Sequence, residues 1–318
     1  MRNFPAKILL FGEYGILVGS RGLSVPYPAF SGTFRFSGTS APEEQEGRAI
    51  ESGKQIRILL GYLSSRKGEF DFLDLDSLST DLEKGLWFDS NIPQGYGAGS
   101  SGALTAAIFD RYGSAEVKNL ELSLIREKLA AVESCFHGTS SGLDPLVSWV
   151  NAPILAEGKT SVRKLDKVVF PGSNPEGQPS NDNTLPDPGL FLLDTRIIGK
   201  TGNFVQTFMD NYHNDWEYQR AVKEVYMPAI EQAINELLQQ QFNAFSESFC
   251  FISAFQLQYL PSMIPAGFAN HFEYGLDTGD FYLKLCGSGG GGFMLGMCAD
   301  RQKCTAYFQR NHQTVHFL

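Results

Sequence analysis

The most constraining feature of the chain is a glycine-rich stretch that runs directly into an apolar, alanine-rich segment. Four of the eight residues at 95–102, GYGAGSSG, are glycine, and ALTAAIF follows at positions 103–109. Glycine is entropically costly to order, so its concentration beside a predicted helix needs a physical reason. One interpretation is a connection in which Ser100 or Ser101 caps the helix. The other is a cradle for an anion, in which backbone N–H groups at a helix N-terminus bind phosphates.

Two common nucleotide-binding patterns fit this stretch poorly. The pattern GxxxxGK[ST] is not met, because no lysine follows the glycines. Gly97, Gly99 and Gly102 do form a GxGxxG string, but residues 89–93 do not look like the end of a buried strand. A dinucleotide-binding oxidoreductase is therefore a weak alternative.

Composition and charge argue against several classes of function. The chain has 318 residues, a formal net charge of −9 and 42% hydrophobic residues, which is typical of a globular protein. The negative charge argues against broad electrostatic binding of nucleic acid or an anionic membrane. Five scattered cysteines without a CxxC pair indicate reduced thiols and predict a cytoplasmic location. No stretch approaches the roughly eighteen apolar residues of a membrane span.

Hydrophobic periodicity predicts a mixture of strands and helices. The strongest signal is a helix over 122–136, whose apolar residues recur every three or four positions. The segment at 171–189 is polar and rich in turn formers, which predicts a long loop and a domain boundary. The predicted fold class is α+β, with domains at 1–185 and 186–318. Other helices are predicted at 48–66, 103–112 and across 202–258. Strands are predicted at the start of 6–19, over 147–170 around the turn at Glu157-Gly158, at 190–195 and on both sides of the glycines in 281–297.

Three further features are candidates for function. Glu133 borders the apolar stripe of the predicted helix and can point inward, where a carboxylate needs a cation or a hydrogen-bond donor. Asp144 precedes Pro145, and this pair is typical of a helix N-cap, the simpler interpretation of Asp144 taken alone. The glycine run in LKLCGSGGGGF, at 283–293, favours a turn that another backbone approaches closely over a flexible linker.

Three segments in this order resemble the signature motifs of the GHMP small-molecule kinases. They are KILLFGEYGILVG at 7–19, PQGYGAGSSGA with HGTSSGLD at 93–103 and 137–144, and LKLCGSGGGGF. Within this superfamily the chain most resembles the mevalonate kinases, chiefly in HGTSSGLD. The resemblance implies a two-domain architecture, with a ribosomal protein S5 domain 2-like N-terminal domain and a ferredoxin-like C-terminal domain. It also implies ATP-dependent, Mg²⁺-dependent phosphorylation of a small-molecule hydroxyl, as in the conversion of mevalonate to 5-phosphomevalonate.

The same resemblance implies a role for individual residues. Asp144 would be the general base and Lys7 would offset charge beside it, while Ser101 and Glu133 would bind Mg²⁺. The residues that would contact the acceptor are Glu13, Tyr14, His137 and Thr201. Those that would bind the ATP phosphates are Gly95, Gly97, Ala98, Gly99, Ser100, Ser101 and Gly102, with Gly287, Ser288, Gly289 and Gly290 of the third motif nearby.

The identity of the acceptor has alternatives. Mevalonate kinases usually have a histidine after the glutamate of the first motif, whereas this chain has Tyr14, and GEY is more familiar from phosphomevalonate kinases. A phosphomevalonate or sugar kinase is therefore the nearest alternative. A kinase-fold protein that only binds a metabolite is disfavoured, because the base, the lysine and the metal ligands are all present. The expected partner is a small-molecule alcohol such as mevalonate, and a homodimer is compatible with the sequence.

Overall fold

The computed structural model describes most of the chain, and its contacts divide it into two compact units. The first comprises Met1–Ile8, Val25–Pro93 and Gly99–Ile154, and the second Leu9–Ser24, Gln94–Ala98 and Leu155–Leu318. The domain boundary predicted after residue 185 stays a prediction, because most of the predicted loop lies outside the described residues. Those residues are 1–37, 43–66, 68–158, 160–173, 187–199 and 204–318, with backbone alone at 43–45 and 137.

The described residues form nine strands and twelve α-helices, which confirms the α+β class. The strands are β1 (Phe4–Phe11), β2 (Gly22–Phe36), β3 (Leu86–Ser90), β4 (Ile154–Glu157), β5 (Ser161–Lys164), β6 (Gly189–Asp194), β7 (Phe281–Leu285), β8 (Phe293–Cys298) and β9 (Thr314–Phe317). The helices are α1 (Glu43–Ser64), α2 (Leu75–Glu83), α3 (Ser100–Tyr112), α4 (Ala115–Lys118), α5 (Leu122–His137), α6 (Leu143–Val150), α7 (Phe204–Asn214), α8 (Trp216–Ala221), α9 (Met227–Leu238), α10 (Phe242–Tyr259), α11 (Ala269–Thr278) and α12 (Arg301–Arg310). Short 3₁₀ turns lie at Gly15–Val18 and Pro261–Met263, and a π-helical turn at Val222–Tyr226.

In the first unit, helices pack together beside a sheet. β2 pairs antiparallel with β3, from Gly32 opposite Ser90 to Phe36 opposite Leu86. α3, α5 and α6 contact one another, and α1 contacts β3. The apolar stripe predicted for 122–136 is confirmed on α5, because its three central members, Ile125, Leu129 and Val132, are buried and its two end members are half-buried. Packing of α5 in this way holds the residues at its C-terminal end close to the beginnings of α3 and α6.

In the second unit, helices cover an antiparallel sheet with the strand order β7-β8-β6-β9. α10 and α11 contact β7, and α12 contacts β9. The predicted arrangement of strand, glycine turn and strand is confirmed by β7 and β8, which flank the glycines. The strand predicted at 190–195 is confirmed by β6, and the described part of 202–258 is largely helical.

Two expectations about local structure are wrong. Residues 147–150, predicted as strand, belong to α6, because a short apolar run has no periodicity that separates a buried helix from a strand. A buried strand does precede the glycine-rich stretch, since β3 buries Leu86, Trp87 and Phe88 and ends at Ser90. Its pairing with β2 is antiparallel, so this pairing differs from that of a parallel dinucleotide-binding unit.

Candidate active site

The glycine-rich stretch leads directly into the N-terminus of α3. Gly99 is the N-cap residue, and its φ of 76° lies in the left-handed region that favours glycine. The alternative in which Ser100 or Ser101 caps the helix is wrong, because both serines lie in its first turn and no described side chain makes the capping bond. The first N–H groups of a helix have no partner within it and sit at the positive end of its dipole. This terminus is therefore suited to binding an anion.

Lys7 and Asp144 form an ion pair beside the same helix terminus. The Nζ atom of Lys7 lies 3.1 Å from Oδ1 of Asp144, and the two side chains are 7% and 31% exposed. A Cβ atom at Gly99 would lie 3.0 Å from Cγ of Lys7, and one at Gly102 would lie 2.8 Å from Cβ of Asp144. A side chain at either glycine would crowd this pair, so the glycines allow the lysine and the aspartate to approach the start of α3.

Asp144 is not the cap of its own helix. α6 begins at Leu143, and its N-cap is Gly142 with a φ of 71°. The interpretation of Asp144 as an N-cap is therefore wrong. The carboxylate is partly exposed and faces Lys7, which leaves it accessible to a reacting group.

Glu133, near the end of α5, accepts a hydroxyl hydrogen bond at each carboxylate oxygen. Ser101 donates to Oε1 at 2.9 Å and Ser140 donates to Oε2 at 2.5 Å. Burial, and then the nearby charge of Asp144, raise the pKa of Glu133 to about 7, although the two serine hydrogen bonds and the charge of Lys7 act in the opposite direction. A carboxylate that is only 4% exposed is therefore held where an added cation would stabilise its charged form.

These residues fit a magnesium ion that is shared with a phosphorylated ligand. Mg²⁺ prefers hard oxygen ligands and is usually bound by one or two carboxylates together with phosphates and water. Glu133 and Ser101 offer a carboxylate and a hydroxyl next to the anion-binding end of α3. In the described part of the chain, no group of three or more His, Cys, Asp or Glu side chains is suited to a metal. With one carboxylate and one hydroxyl from the protein, the remaining ligands of a magnesium ion would be phosphate oxygens and water.

Ser140, which contacts Glu133, was not predicted from the sequence as a candidate site residue. It lies in the loop between α5 and α6, and its only sequence signal is its place in HGTSSGLD. The contact with Glu133 depends on how α5 and the loop fold together, so periodicity could not predict it.

The second unit contains the start of the glycine-rich stretch and the whole third motif. The N–H of Phe293 donates to the carbonyl of Tyr96 at 3.4 Å. A Cβ atom at Gly97 would lie 3.1 Å from the carbonyl oxygen of Cys286, and one at Gly292 would lie 2.5 Å from Cα of Tyr96. The close backbone approach predicted for the third motif is confirmed.

A buried polar network surrounds Glu13 in this unit. The Nζ atom of Lys284 donates to Oε1 of Glu13 at 2.5 Å and to the carbonyl of Leu10 at 2.8 Å, and both charged side chains are 0% exposed. Gln256 donates to the hydroxyl of Tyr226 at 2.8 Å, and that hydroxyl donates to the carbonyl of Glu13 at 3.2 Å. Lys284, Gln256 and Tyr226 were not predicted from the sequence, although a lysine within the apolar strand β7 is a signal of a buried charge.

Tyr14 is anchored inside the second unit. Its hydroxyl donates to the carbonyl of Ser288 in the third motif, and its ring stacks on that of Phe208 with 4.9 Å between centroids. Burial raises the pKa of the Tyr14 phenol above its ordinary value, so the hydroxyl keeps its proton. The acceptor contacts of Glu13 and Tyr14 stay predictions. Thr201 and the side chain of His137 lie outside the described residues.

Comparison with known proteins supports the same family as the three motifs. Residues 69–150 match the family model for the GHMP kinases N terminal domain. The resemblance to the GHMP kinases is confirmed. The matched segment holds the start of α3 together with Glu133 and Asp144, and no curated protein matches the chain in sequence. None of the described helices is long and apolar enough to cross a membrane.

Solved structures of GHMP kinases share the fold over nearly the whole chain. Mevalonate kinase of L. major in complex with R-mevalonate is 16% identical, with 96% of this chain and 89% of that chain covered and a TM-score of 0.62. Phosphomevalonate kinase of Streptococcus pneumoniae with phosphomevalonate and AMPPNP is 14% identical, with 100% and 99% covered and a TM-score of 0.60. Galactokinase of Lactococcus lactis with galactose is 12% identical, with 99% and 92% covered and a TM-score of 0.61. At these identities the likeness establishes the fold.

Proposed function

We propose that this GHMP-type kinase transfers the γ-phosphoryl group of ATP to a hydroxyl of a small molecule. The observation that carries the proposal is the ion pair of Lys7 and Asp144, 3.1 Å apart, beside Gly99 at the N-terminus of α3. A carboxylate, an ammonium group and the donors of a helix terminus are the parts that phosphoryl transfer needs for positioning and charge stabilisation. ATP supplies the phosphoryl group.

The site residues of the first unit would each have a defined part in the reaction. Asp144 accepts the proton of the acceptor hydroxyl, whose oxygen attacks the γ-phosphorus as the bond to ADP breaks. Lys7 carries a positive charge next to Asp144 and stabilises the negative charge on the transferred group. The first N–H groups of α3 bind phosphate oxygens, and Gly99 and Gly102 keep the approach to them free of side chains.

Ser101 and Glu133 would hold Mg²⁺, which would offset the charge of the phosphate oxygens. Their contact at 2.9 Å supports this pairing, since a hydroxyl and a carboxylate already converge there. Glu133 must be ionised to bind the cation, and its two serine donors favour that form.

Mevalonate is the acceptor that we propose, which would assign the chain to isoprenoid precursor synthesis. The proposal rests on HGTSSGLD at 137–144 and on the fold shared with a mevalonate kinase that binds R-mevalonate. Tyr14, His137 and Thr201 would contact it, whereas the carboxylate of Glu13 is enclosed and pairs with Lys284. Phosphomevalonate is the second candidate, because the first motif reads GEY and the fold is also that of a phosphomevalonate kinase.

A coupled assay of ADP release tests the activity and the acceptor together. Mevalonate, phosphomevalonate, galactose and homoserine are compared at saturating ATP and Mg²⁺, with Asp144→Asn as the inactive control. The fastest turnover is expected with mevalonate. If only phosphomevalonate is phosphorylated, the proposed kinase activity stands, but the acceptor is phosphomevalonate and not mevalonate. If the protein binds ATP but forms no ADP with any of the four acceptors, the result would favour a protein that only binds a metabolite.

A further inference from the structure

Ser140 connects the proposed metal ligand Glu133 to the beginning of the helix that carries Asp144. Its Oγ atom donates to Oε2 of Glu133 at 2.5 Å and accepts from the N–H of Gly142 at 2.9 Å. Gly142 is the N-cap of α6, and Asp144 is the second residue of that helix. One hydroxyl therefore contacts both the carboxylate expected to bind the metal and the start of the segment that carries the base.

The two hydrogen bonds fix the direction of the Ser140 hydroxyl. A serine hydroxyl has a single hydrogen and two acceptor positions. Because the N–H of Gly142 points at the oxygen, the hydrogen is left to point at Glu133. The hydroxyl is thus a directed donor to one chosen oxygen of the carboxylate, and a directed donor restricts the rotation of that carboxylate.

The other oxygen of Glu133 is held differently. Oε1 accepts from Ser101, which is itself a proposed ligand of the metal. When the oxygen of Ser101 binds a cation, Ser140 still holds Oε2, so that Oε1 stays directed towards Ser101. Residues that orient metal ligands in this way commonly affect metal affinity about 10–100-fold.

We propose that Ser140 is a positioning residue that orients the carboxylate of Glu133 for a divalent cation and keeps it aligned with α6. The inference rests on the proposed function for the identity of the cation site. It assigns to this chain a metal-orienting residue that does not itself touch the metal.

The surrounding loop is held by contacts that do not involve Ser140. Arg126 donates from Nε to the carbonyl of Ser141 at 2.7 Å. A Cβ atom at Gly142, whose φ is 71°, would lie 2.2 Å from the carbonyl oxygen of Arg126, which shows how closely the loop packs on α5. Removing the hydroxyl of Ser140 should therefore leave the loop folded.

The test compares Ser140→Ala with Ser134→Ala as a matched control. Ser134 follows Glu133 on the same helix, but its hydroxyl donates to the carbonyl of Ala130 at 2.7 Å. The measurements are Mn²⁺ binding by electron paramagnetic resonance with a non-hydrolysable ATP analogue, the Mg²⁺ concentration for half-maximal ADP release, and the melting temperature. Ser140→Ala should weaken Mn²⁺ binding and raise the Mg²⁺ requirement about tenfold, with little change in the KM of the acceptor.

Ser140→Thr, which keeps the hydroxyl, should restore most of the metal affinity, and Ser134→Ala should leave it at the wild-type value. Unchanged Mn²⁺ binding in Ser140→Ala, or an equal loss in Ser134→Ala, would overturn the inference. A lower melting temperature with normal Mn²⁺ binding would also overturn it, because the hydroxyl would then serve stability alone. If the wild type releases no ADP, Mn²⁺ binding still decides, and a wild type that binds no Mn²⁺ refutes the positioning role.

Discussion

Each unit of the molecule contains a lysine paired with a carboxylate, and the two pairs differ in their access to solvent. In the first unit the side chains of Lys7 and Asp144 are 7% and 31% exposed. In the second unit those of Lys284 and Glu13 are both 0% exposed. The carboxylate of Asp144 can therefore meet a substrate, whereas that of Glu13 is enclosed by the protein.

The surroundings of the two lysines also differ. The Nζ atom of Lys284 donates to Glu13 and to the carbonyls of Leu10 and Leu285, which uses all three hydrogens of an ammonium group. Lys7 pairs with Asp144 beside Gly99, where the backbone of α3 has no side chain. A lysine–carboxylate pair can thus take part in a proposed reaction in one unit and stabilise the buried core in the other.

The largest effect is expected at the partly exposed pair of Lys7 and Asp144. Asp144→Asn removes the proton acceptor and should lower turnover about 10²–10⁴-fold. The melting temperature should change little, because Gly142 and not Asp144 is the N-cap of α6. Steady-state kinetics and thermal melting measure the two quantities, and ATP binding by calorimetry serves as the control. Full turnover with a lower melting temperature would show that the aspartate is structural.

The next largest effect is expected at the buried pair, on stability. Lys284→Met leaves Glu13 without its ammonium partner in a site with no exposure, and should lower the free energy of unfolding by about 3–5 kcal/mol. Unfolding in urea measures the change. The double variant with Glu13→Gln should recover part of the loss, because no unpaired charge remains. If Lys284→Met lowers the free energy of unfolding by less than about 1 kcal/mol, the buried pair does not have the structural role that distinguishes it from the pair of Lys7 and Asp144.

The pKa of Glu133 predicts a pH dependence of the metal-free protein. Burial raises this pKa from 4.5 to about 7, so the folded chain binds more protons than the unfolded chain between these pH values. Stability should therefore fall as the pH rises through this window, by at most ~3 kcal/mol from this group. Urea unfolding at pH 5 and pH 8 in the presence of a chelator measures this change in the free energy of unfolding. The contribution of Glu133 to the change should be absent in Glu133→Gln. An equal pH dependence in both proteins would contradict the assignment.

A smaller effect is expected when Glu133 loses its charge. Glu133→Gln should raise the Mg²⁺ requirement for ADP release at least about tenfold, because a neutral amide is a poorer ligand than a carboxylate. The Mg²⁺ titration is done at fixed ATP, and the KM of the acceptor serves as the internal control. If the Mg²⁺ dependence of Glu133→Gln equals that of the wild type, Glu133 is not a ligand of the metal.

The smallest effect is expected at Tyr14. Tyr14→Phe removes the hydrogen bond to the carbonyl of Ser288 and should cost about 1 kcal/mol of stability. If the same hydroxyl also contacts the acceptor, the KM for mevalonate should rise several-fold while the KM for ATP stays constant. A change in the KM for ATP alone would indicate that Tyr14 acts through the third motif.

Features that depend on neighbours along the chain can be predicted from the amino-acid sequence. The apolar stripe of α5, the helix after the glycine-rich stretch and the glycine turn between β7 and β8 follow from spacing and backbone freedom. The three ordered motifs also indicate the resemblance to the GHMP kinases without any knowledge of the tertiary contacts. Each of these features can be recognised within a short window of residues, because hydrophobic periodicity and glycine content are properties of consecutive residues.

Contacts between residues far apart in the chain depend on the folded arrangement of the elements. Lys284 and Glu13 are 271 positions apart, and their pairing depends on where β7 packs. The contact of Ser140 with Glu133 and the choice of Gly142 over Asp144 as the N-cap also required the folded loop. A buried charge or a directed hydroxyl takes whichever partner the packing supplies, so its role cannot be derived from spacing along the chain.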